Sequence, residues 1–431
     1  MNTDAIGQRA LGRSALGKVS WRVLPLIGLG YGVAYMDRVN ISFAAARMNA
    51  DLHFSAAIYG LGGGLFFLSY ALFEVPSNLL LARFGARRWL ARIMFTWGIL
   101  AMAMMLVRTP LQFYAVRFGL GLAEAGFFPG VVYYLGHWFP AAQRARAISR
   151  FYIAWPLSTV VMGALAGALL GLNGRLGLTG WQWLFLAEGL PSVLLSAVVL
   201  TRLPDAPQTA RWLTPDEAGW IAGALAADAA AVPPAAHHDV WRILASPPVL
   251  ILGAANALML GASYAFNLSA PQLLDAATHL GPTRVGWLIA AAGLVGAAAM
   301  LANSWRSDVT GERNLHTAVP LLGVAAALAL FALVHAPWAA MTGFVGFIGF
   351  QAAAAAVLWL VVAQRLPAAH AAAGLAAINC LGQLGSFFAS WSWGVARDAT
   401  GGYQAGLLVL PLAFAGSAAI FAVDKLRRQA V

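Results

Sequence analysis

The stretch WRVLPLIGLGYGVAYMDRVNISFAA, residues 21–45, is an apolar run with Asp37 and Arg38 side by side near its middle. A run of about 20 apolar residues crosses the hydrocarbon core of a bilayer as a helix. An ionisable pair inside such a run is costly unless it faces a polar cavity or a partner. The pair therefore implies a polar site enclosed by other helices. Arg9, Arg13, Lys18 and Arg22 lie at or before the start of the run, and Ala44–Ala46 has the look of a cleavage site. The run is nevertheless about twice the length of a signal-peptide core. It reads as an uncleaved first transmembrane helix.

The whole chain follows the same pattern. It has 431 residues, 61% hydrophobic and 10% charged, and a mean hydropathy of +0.73. A soluble domain carries about 25% charged residues. Twelve apolar spans are predicted, at 21–45, 57–82, 89–107, 111–137, 147–171, 181–203, 247–272, 284–304, 317–335, 338–364, 371–395 and 403–423. With the N-terminus assigned to the cytoplasm, 20 of the 27 Lys and Arg fall in cytoplasmic segments. Five are external (Arg47, Arg108, Arg175, Arg284 and Arg397), and Arg38 and Arg117 lie within spans. This bias predicts cytoplasmic termini. It also explains the net charge of +11 as an orientation signal facing anionic headgroups, with no nucleic-acid partner.

The fold class is thus an all-α polytopic membrane protein with twelve helices in two six-helix bundles. Residues 1–203 form the first bundle, 204–246 a cytoplasmic central loop and 247–431 the second. Within the loop, Thr214 before Pro215 with Glu217 three residues later predicts a capped surface helix. The halves repeat weakly. NLLLARFGAR and SWRSDVTGER align Gly85 with Gly311 and Arg87 with Arg313, an offset of 226. FPAAQRARA (139–147) and LPAAHAAAG (366–374) align at 227. Parallel repeats with a site between them near the membrane midplane are a transporter architecture.

YMDRVNISFA, YGLGGGLFFLSYALFEVPSNLLLARFGARRW, RFGLGLAEAGFFPGVVYYLGHWFP and GWQWLFLAEGLPS resemble the anion:cation symporter family of the major facilitator superfamily. WLTPDEAGWI, SDVTGER and AAINCLGQLGSFFASWSWGVARDATGG extend the likeness. It covers nearly the whole chain, closely in the first half and more loosely around spans 7, 9 and 10. The resemblance implies proton-coupled uptake of organic anions: sugar acids, tartrate-like hydroxy acids or aromatic carboxylates. It also implies a cavity role for Tyr70 and points to Arg38 and Arg117. One departure is Ala82, which stands where the superfamily's loop motif usually has an acid; the second copy keeps Asp308.

The residues themselves support an anion site. Arg38 and Arg117 are basic side chains that no loop claims, and a guanidinium fork matches the two oxygens of a carboxylate. The alternative is a structural ion pair with Asp37 or Glu124. Adjacent residues on a helix point about 100° apart, so Asp37 and Arg38 face different neighbours. Glu124 follows Arg117 by seven residues, on one face and about 10 Å along the axis. That spacing leaves room for an anion at Arg117 and a separately titrating acid, so Asp37 and Glu124 are the proton-coupling candidates. Glu74 and Glu188 are intramembrane too, and read as hydrogen-bonding or gating groups. The second half offers Tyr264, Asn267, Trp359, Asn379 and Gln383. The last two are four apart and share a face, either for substrate or for helix–helix hydrogen bonding. Trp155 precedes Pro156, where a helix break would expose backbone.

No catalytic constellation, metal motif or cofactor signature is found, so no cofactor is expected; protons as the coupling ion are what the family resemblance implies. The glycines of FGLGLAEAG follow no strand and read as packing positions in span 4. The expected protein is a monomeric bacterial inner-membrane importer of a small organic anion, surrounded by lipid. Two alternatives are a proton-driven exporter of amphipathic compounds and a non-transporting nutrient sensor. In-span arginines weigh against the first. The shortness of the tails and loop weighs against the second.

Overall fold

The computed structural model describes residues 3–230, 245–366 and 371–429. Among them the chain is helical, with no strand. The helices are α1 (Thr3–Leu52), α2 (Ala56–Phe84), α3 (Ala86–Ala103), α4 (Pro110–Glu124), α5 (Phe127–Gly136), α6 (Ala141–Tyr152), α7 (Ala154–Leu170), α8 (Gly180–Arg202) and α9 (Pro215–Ala230). After these come α10 (Pro247–Asn267), α11 (Ala270–Thr278), α12 (Pro282–Thr310), α13 (Leu315–Leu333), α14 (Pro337–Arg365), α15 (Ala371–Thr400) and α16 (Gln404–Gln429).

Ten segments among the described residues are long and apolar enough to cross a membrane, with α4–α5 and α6–α7 each counted as one. Helices α1 and α15 complete the twelve. They are long enough, at 50 and 30 residues, but carry polar groups at depth: Asp37, Arg38 and Asn40 in α1, Asn379 and Gln383 in α15. Buried apolar side chains form two sets. One comes from residues 15–221 with Tyr264 and Leu268, the other from residues 249–421.

Several boundaries differ from the expected spans for local reasons. Helix α1 begins at Thr3, so the basic N-terminal segment is helical. Span 4 breaks after Glu124, where Gly126 takes a left-handed conformation (φ 83°) that costs glycine little. Span 5 breaks at Ile153, three residues before Pro156, whose ring lacks an N–H and crowds the preceding turn. Span 7 stops at Asn267 and resumes as α11 beyond Ser269. Gly85 and Gly311, aligned by the internal repeat, both have positive φ (86° and 67°) and both follow a long helix. Arg313 pairs with Asp308 at 2.7 Å. Arg87 lacks that option because of Ala82, and pairs instead with Asp205, after α8, at 3.1 Å. Of the second repeat match, at 366–374, residues 367–370 lie outside the described residues.

The two halves meet along two seams at the membrane face opposite the chain termini. In the first, Gly60 of α2 lies against the Ser390 carbonyl and Gly394 of α15 against the Ala56 carbonyl, leaving no room for a Cβ. Asp398 accepts hydrogen bonds from the Ala56 and Ala57 backbone N–H groups (3.1 and 2.8 Å), capping α2 from the other half. In the second, Gly163 of α7 and Gly286 of α12 face each other's carbonyls. The hydroxyl of Tyr59 bridges the Ile41 and Leu268 carbonyls. Along the α2–α15 seam, the cross-half hydrogen bonds nearest the terminal face are those of Asn379 and Cys380 with α2.

Helix α9 has the predicted cap. Thr214 N–H donates to Glu217 Oε2 (2.9 Å), and Glu217 N–H donates to Thr214 Oγ1 (3.2 Å). Ser14 Oγ and Lys18 Nζ of α1 also donate to Glu217, at 2.7 and 2.8 Å. Burial alone would raise this carboxyl's pKa. The hydrogen bonds from Lys18, Thr214 and Ser14, with the Lys18 charge, outweigh burial and bring it down to about 2. A lowered carboxyl stabilises the fold above its unfolded value of about 4.3, and that contribution fades as pH falls toward the folded value. We expect Glu217→Gln to lower the melting temperature of the purified protein at neutral pH. The gap to the unsubstituted protein should close as pH falls from about 4.3 toward the folded value. Equal melting at neutral pH would show that the clamp contributes nothing.

Candidate functional site

A cavity of about 760 Å³, its opening included, lies between the halves. Its wall from the first half is aromatic. Tyr31, Tyr35 and Arg38 project from α1 at positions i, i+4 and i+7, one helical face. Tyr70 comes from α2, Tyr152 ends α6, and Trp155 stands beside Pro156 at the start of α7. The rings pack against one another: Tyr35 and Trp155 are tilted with centroids 5.5 Å apart, and Tyr152 and Trp155 meet edge to face at 5.8 Å. The wall from the second half is rich in amides. Asn256, Ser263 and Asn267 lie along α10, Gln351 on α14, and Asn379 and Gln383 on α15, with Tyr264 and Trp359 between them. A second cavity of about 600 Å³ continues from the first, sharing Tyr35, Trp155, Asn267 and Gln351.

Eight of the nine residues expected to meet substrate line the larger cavity: Arg38, Tyr70, Trp155, Tyr264, Asn267, Trp359, Asn379 and Gln383. Arg117 does not. Its Nε donates to the Gly62 carbonyl at 3.3 Å, and its guanidinium lies 4.9 Å from the Phe66 ring centroid. It is buried in the α2–α4 interface, where Gly121 of α4 packs against the Phe66 carbonyl. The structure thus places Arg117 in the α2–α4 interface and not on the cavity wall, where the anion contact was expected.

Glu124 is not the isolated acid its spacing from Arg117 suggests. Its Oε1 accepts from Arg38 Nε at 2.7 Å and lies 2.6 Å from an Arg38 terminal nitrogen. Its Oε2 is buried without a hydrogen bond. Arg38 thus has two neighbours: the cavity on one side, Glu124 on the other. It also lies over the Tyr70 ring, 4.9 Å from the centroid. Asp37 points away from the cavity, as its angle from Arg38 requires. It accepts from Asn40 Nδ2 at 3.1 Å, and its Oδ2 is unbonded. Both oxygens of Glu188 are likewise buried and unbonded. Glu74 accepts two hydrogen bonds from Asn379 Nδ2 across the seam, at 2.9 and 2.8 Å. Asn379 consequently serves both as cavity wall and as helix–helix contact.

Residues missed by the sequence reading are Tyr31, Tyr35, Tyr152, Asn256, Ser263 and Gln351. A signal existed for some of them. Tyr31 and Tyr35 share a face with Arg38, and Gln351 and Trp359 are eight apart on α14. Gln351 Nε2 donates to Ser263 Oγ at 2.6 Å, which fixes both inside the wall.

The profile of the Major Facilitator Superfamily matches residues 27–390. A relative from Agrobacterium vitis named "Putative tartrate transporter" is 41% identical over 407 residues, covering 94% of this chain and 92% of that protein. A relative from Acinetobacter baumannii named "Quinolone resistance transporter" is 36% identical over 394 residues, 91% of each chain. Among solved structures, the inward-open xylose transporter XylE from E. coli aligns with a TM-score of 0.73 at 16% identity, covering 93% of this chain and 95% of that one.

Arg38 and Arg117 make opposite predictions. Arg38→Lys keeps the charge but loses the planar fork, so carboxylate affinity should fall about ten- to a hundredfold. Arg117→Lys should leave affinity within about twofold and instead lower stability by about 1–3 kcal/mol, through the lost buried hydrogen bond and ring contact. Calorimetric titration and thermal melting of both purified variants separate the two roles. An affinity loss in Arg117→Lys matching that in Arg38→Lys would return Arg117 to the binding site.

Proposed function

The chain belongs to the Major Facilitator Superfamily and is a multi-pass membrane transporter; from that premise we propose that it imports a small organic anion together with protons. The proposed setting is a bacterial inner membrane, with both termini cytoplasmic and the glycine seams at the outer face. One observation carries the reading: Arg38 reaches the cavity while its guanidinium is held from behind by the buried carboxyl of Glu124.

The chemistry follows from charge balance. Arg38 and Arg117 lie among the buried carboxyl groups of Asp37, Glu124, Glu188 and, at the seam, Glu74. A carboxylate entering at Arg38 would add a negative charge, and unbalanced charge in a low-dielectric interior is expensive. A proton taken up by Glu124 removes that excess and releases Arg38 toward the substrate. Substrate and proton are then favoured together, and each departs more readily with the other. Alternating access opens the α2–α15 and α7–α12 seams at the outer face while the opposite ends of the bundles close.

The amide wall supports a substrate with hydroxyl or similar groups as well as a carboxylate. The name of the Agrobacterium vitis relative accords with an organic anion. Export of amphipathic compounds is the second reading. The aromatic wall and the name of the Acinetobacter relative favour it; a guanidinium in the cavity disfavours cationic cargo. No cofactor enters the proposal.

Glu124→Gln fixes the neutral form of the side chain. In proteoliposomes with an imposed proton gradient, accumulation of a carboxylate that the purified protein binds should fall to near background. Exchange of labelled for unlabelled substrate without a gradient should persist, because Arg38 stays available. A variant that still concentrates substrate would remove Glu124 from coupling.

A further inference from the structure

Arg38 is the one charged side chain on the wall of either connected cavity, among the described residues. The second arginine that would suit a dianion is turned into the α2–α4 interface, against Gly62 and Phe66. The other charges near the site, Asp37, Glu74, Glu124 and Glu188, are acidic and buried behind it, Glu74 bonded to Asn379 of the wall. The cavity therefore supplies one positive charge, and Glu124 is the only group touching it that can yield a compensating one by protonation. A second carboxylate on the cargo would sit among rings and amides with no cation to meet it. Amide N–H donors help an anion but do not neutralise it.

The two walls differ in what they accept. Tyr31, Tyr35, Tyr152 and Trp155 form a continuous aromatic surface, each ring within 6.5 Å of the next by centroids. A flat ring can lie against this surface with its faces covered, and stacked or tilted ring pairs gain beyond simple area burial. A polyhydroxylated chain in the same place would press its hydroxyls onto carbon and lose their water. Across the cavity, Gln383 Oε1 is buried and unbonded, an acceptor waiting for a donor. Asn267 and Gln351 extend that polar side.

We infer that the cargo is a monocarboxylate carried on a flat ring that bears a hydrogen-bond donor, its carboxylate at Arg38, its ring on the Tyr35–Trp155 wall and its donor toward Gln383. A second carboxylate disqualifies a molecule. This rests on the reading of the cavity as an organic-anion site, and goes beyond it in charge, shape and orientation. It also runs counter to a direct transfer of the tartrate name, since tartrate has two carboxylates and no ring.

The test is a binding panel on the purified full-length protein near neutral pH, read by calorimetry. The probes are 4-hydroxybenzoate, benzoate, cyclohexanecarboxylate, phthalate, gluconate, tartrate and the amines benzylamine and cyclohexylamine. The expected order puts 4-hydroxybenzoate first, about tenfold tighter than benzoate, with the loss of one hydrogen bond to a buried acceptor as the cause. Cyclohexanecarboxylate, equal in charge but not flat, should be weaker than benzoate. Phthalate and tartrate should bind at least about a hundredfold more weakly than 4-hydroxybenzoate. Gln383→Leu should weaken 4-hydroxybenzoate about tenfold more than benzoate, a selective effect that misfolding cannot mimic. Should 4-hydroxybenzoate fail to bind, or phthalate or tartrate match it, the inference is overturned. Tight gluconate or tartrate binding in that case would leave the organic-anion function standing. Binding of amines alone would remove both.

Discussion

The hydrogen-bonded pair of Arg38 and Glu124 is the interaction on which the site depends. A guanidinium at mid-membrane depth needs a counter-charge, and a fully buried carboxyl needs the same. Each answers the other, but only if α1 and α4 are held side by side with Arg38 still reaching the cavity. The Gly121 contact with α2 and the break at Gly126 bring α4 to that position. The Arg117 contacts with Gly62 and Phe66 secure α2 to α4 beneath it. Stability and function thus share the same few residues: a change that loosens the α2–α4 interface also moves Glu124 relative to Arg38.

The two halves contribute unequally. The first supplies the charge and most of the rings, the second the amides with Tyr264 and Trp359, and Glu74 of the first accepts from Asn379 of the second. Their mutual contacts are tight where the glycine seams run, with Gly60, Gly394, Gly163 and Gly286 against backbone carbonyls of the other half. Asp398 at the N-terminus of α2 is a polar counterpart: its two hydrogen bonds to exposed helix-end N–H groups can be exchanged for water. A transporter that opens at this face must break such contacts in each cycle, and weak, replaceable contacts serve that purpose.

The sequence made the architecture legible because transmembrane helices announce themselves by length and hydropathy. Even α1 and α15, the least apolar, were readable from what made them exceptions: the Asp37–Arg38 pair and the Asn379–Gln383 pair. The capping of α9 was legible for a different reason, since a capping box is local in sequence. Arg117 was misplaced because periodicity fixes which residues share a face but not which helix that face meets. The facing partner, Gly62, is 55 residues away, and nothing in the spacing reveals it. The pairing of Arg38 with Glu124, 86 residues apart, is hidden in the same way, although an ion pair with one of two named acids was among the readings. Tyr31 and Tyr35 were passed over because a tyrosine on an apolar helix carries no signal of its own until its face is tied to Arg38.

The account's central claim is that anion and proton are linked through Arg38 and Glu124. The most direct measurement is the pH dependence of carboxylate affinity in the purified protein, with no gradient and no transport step. Linkage to one proton predicts that, once the carboxyl is ionised in the free protein, the apparent Kd rises about tenfold per pH unit. The same titration on a protein carrying Gln at position 124 should be flat. An affinity independent of pH in the unsubstituted protein, over a range in which the fold is intact, would contradict the linkage.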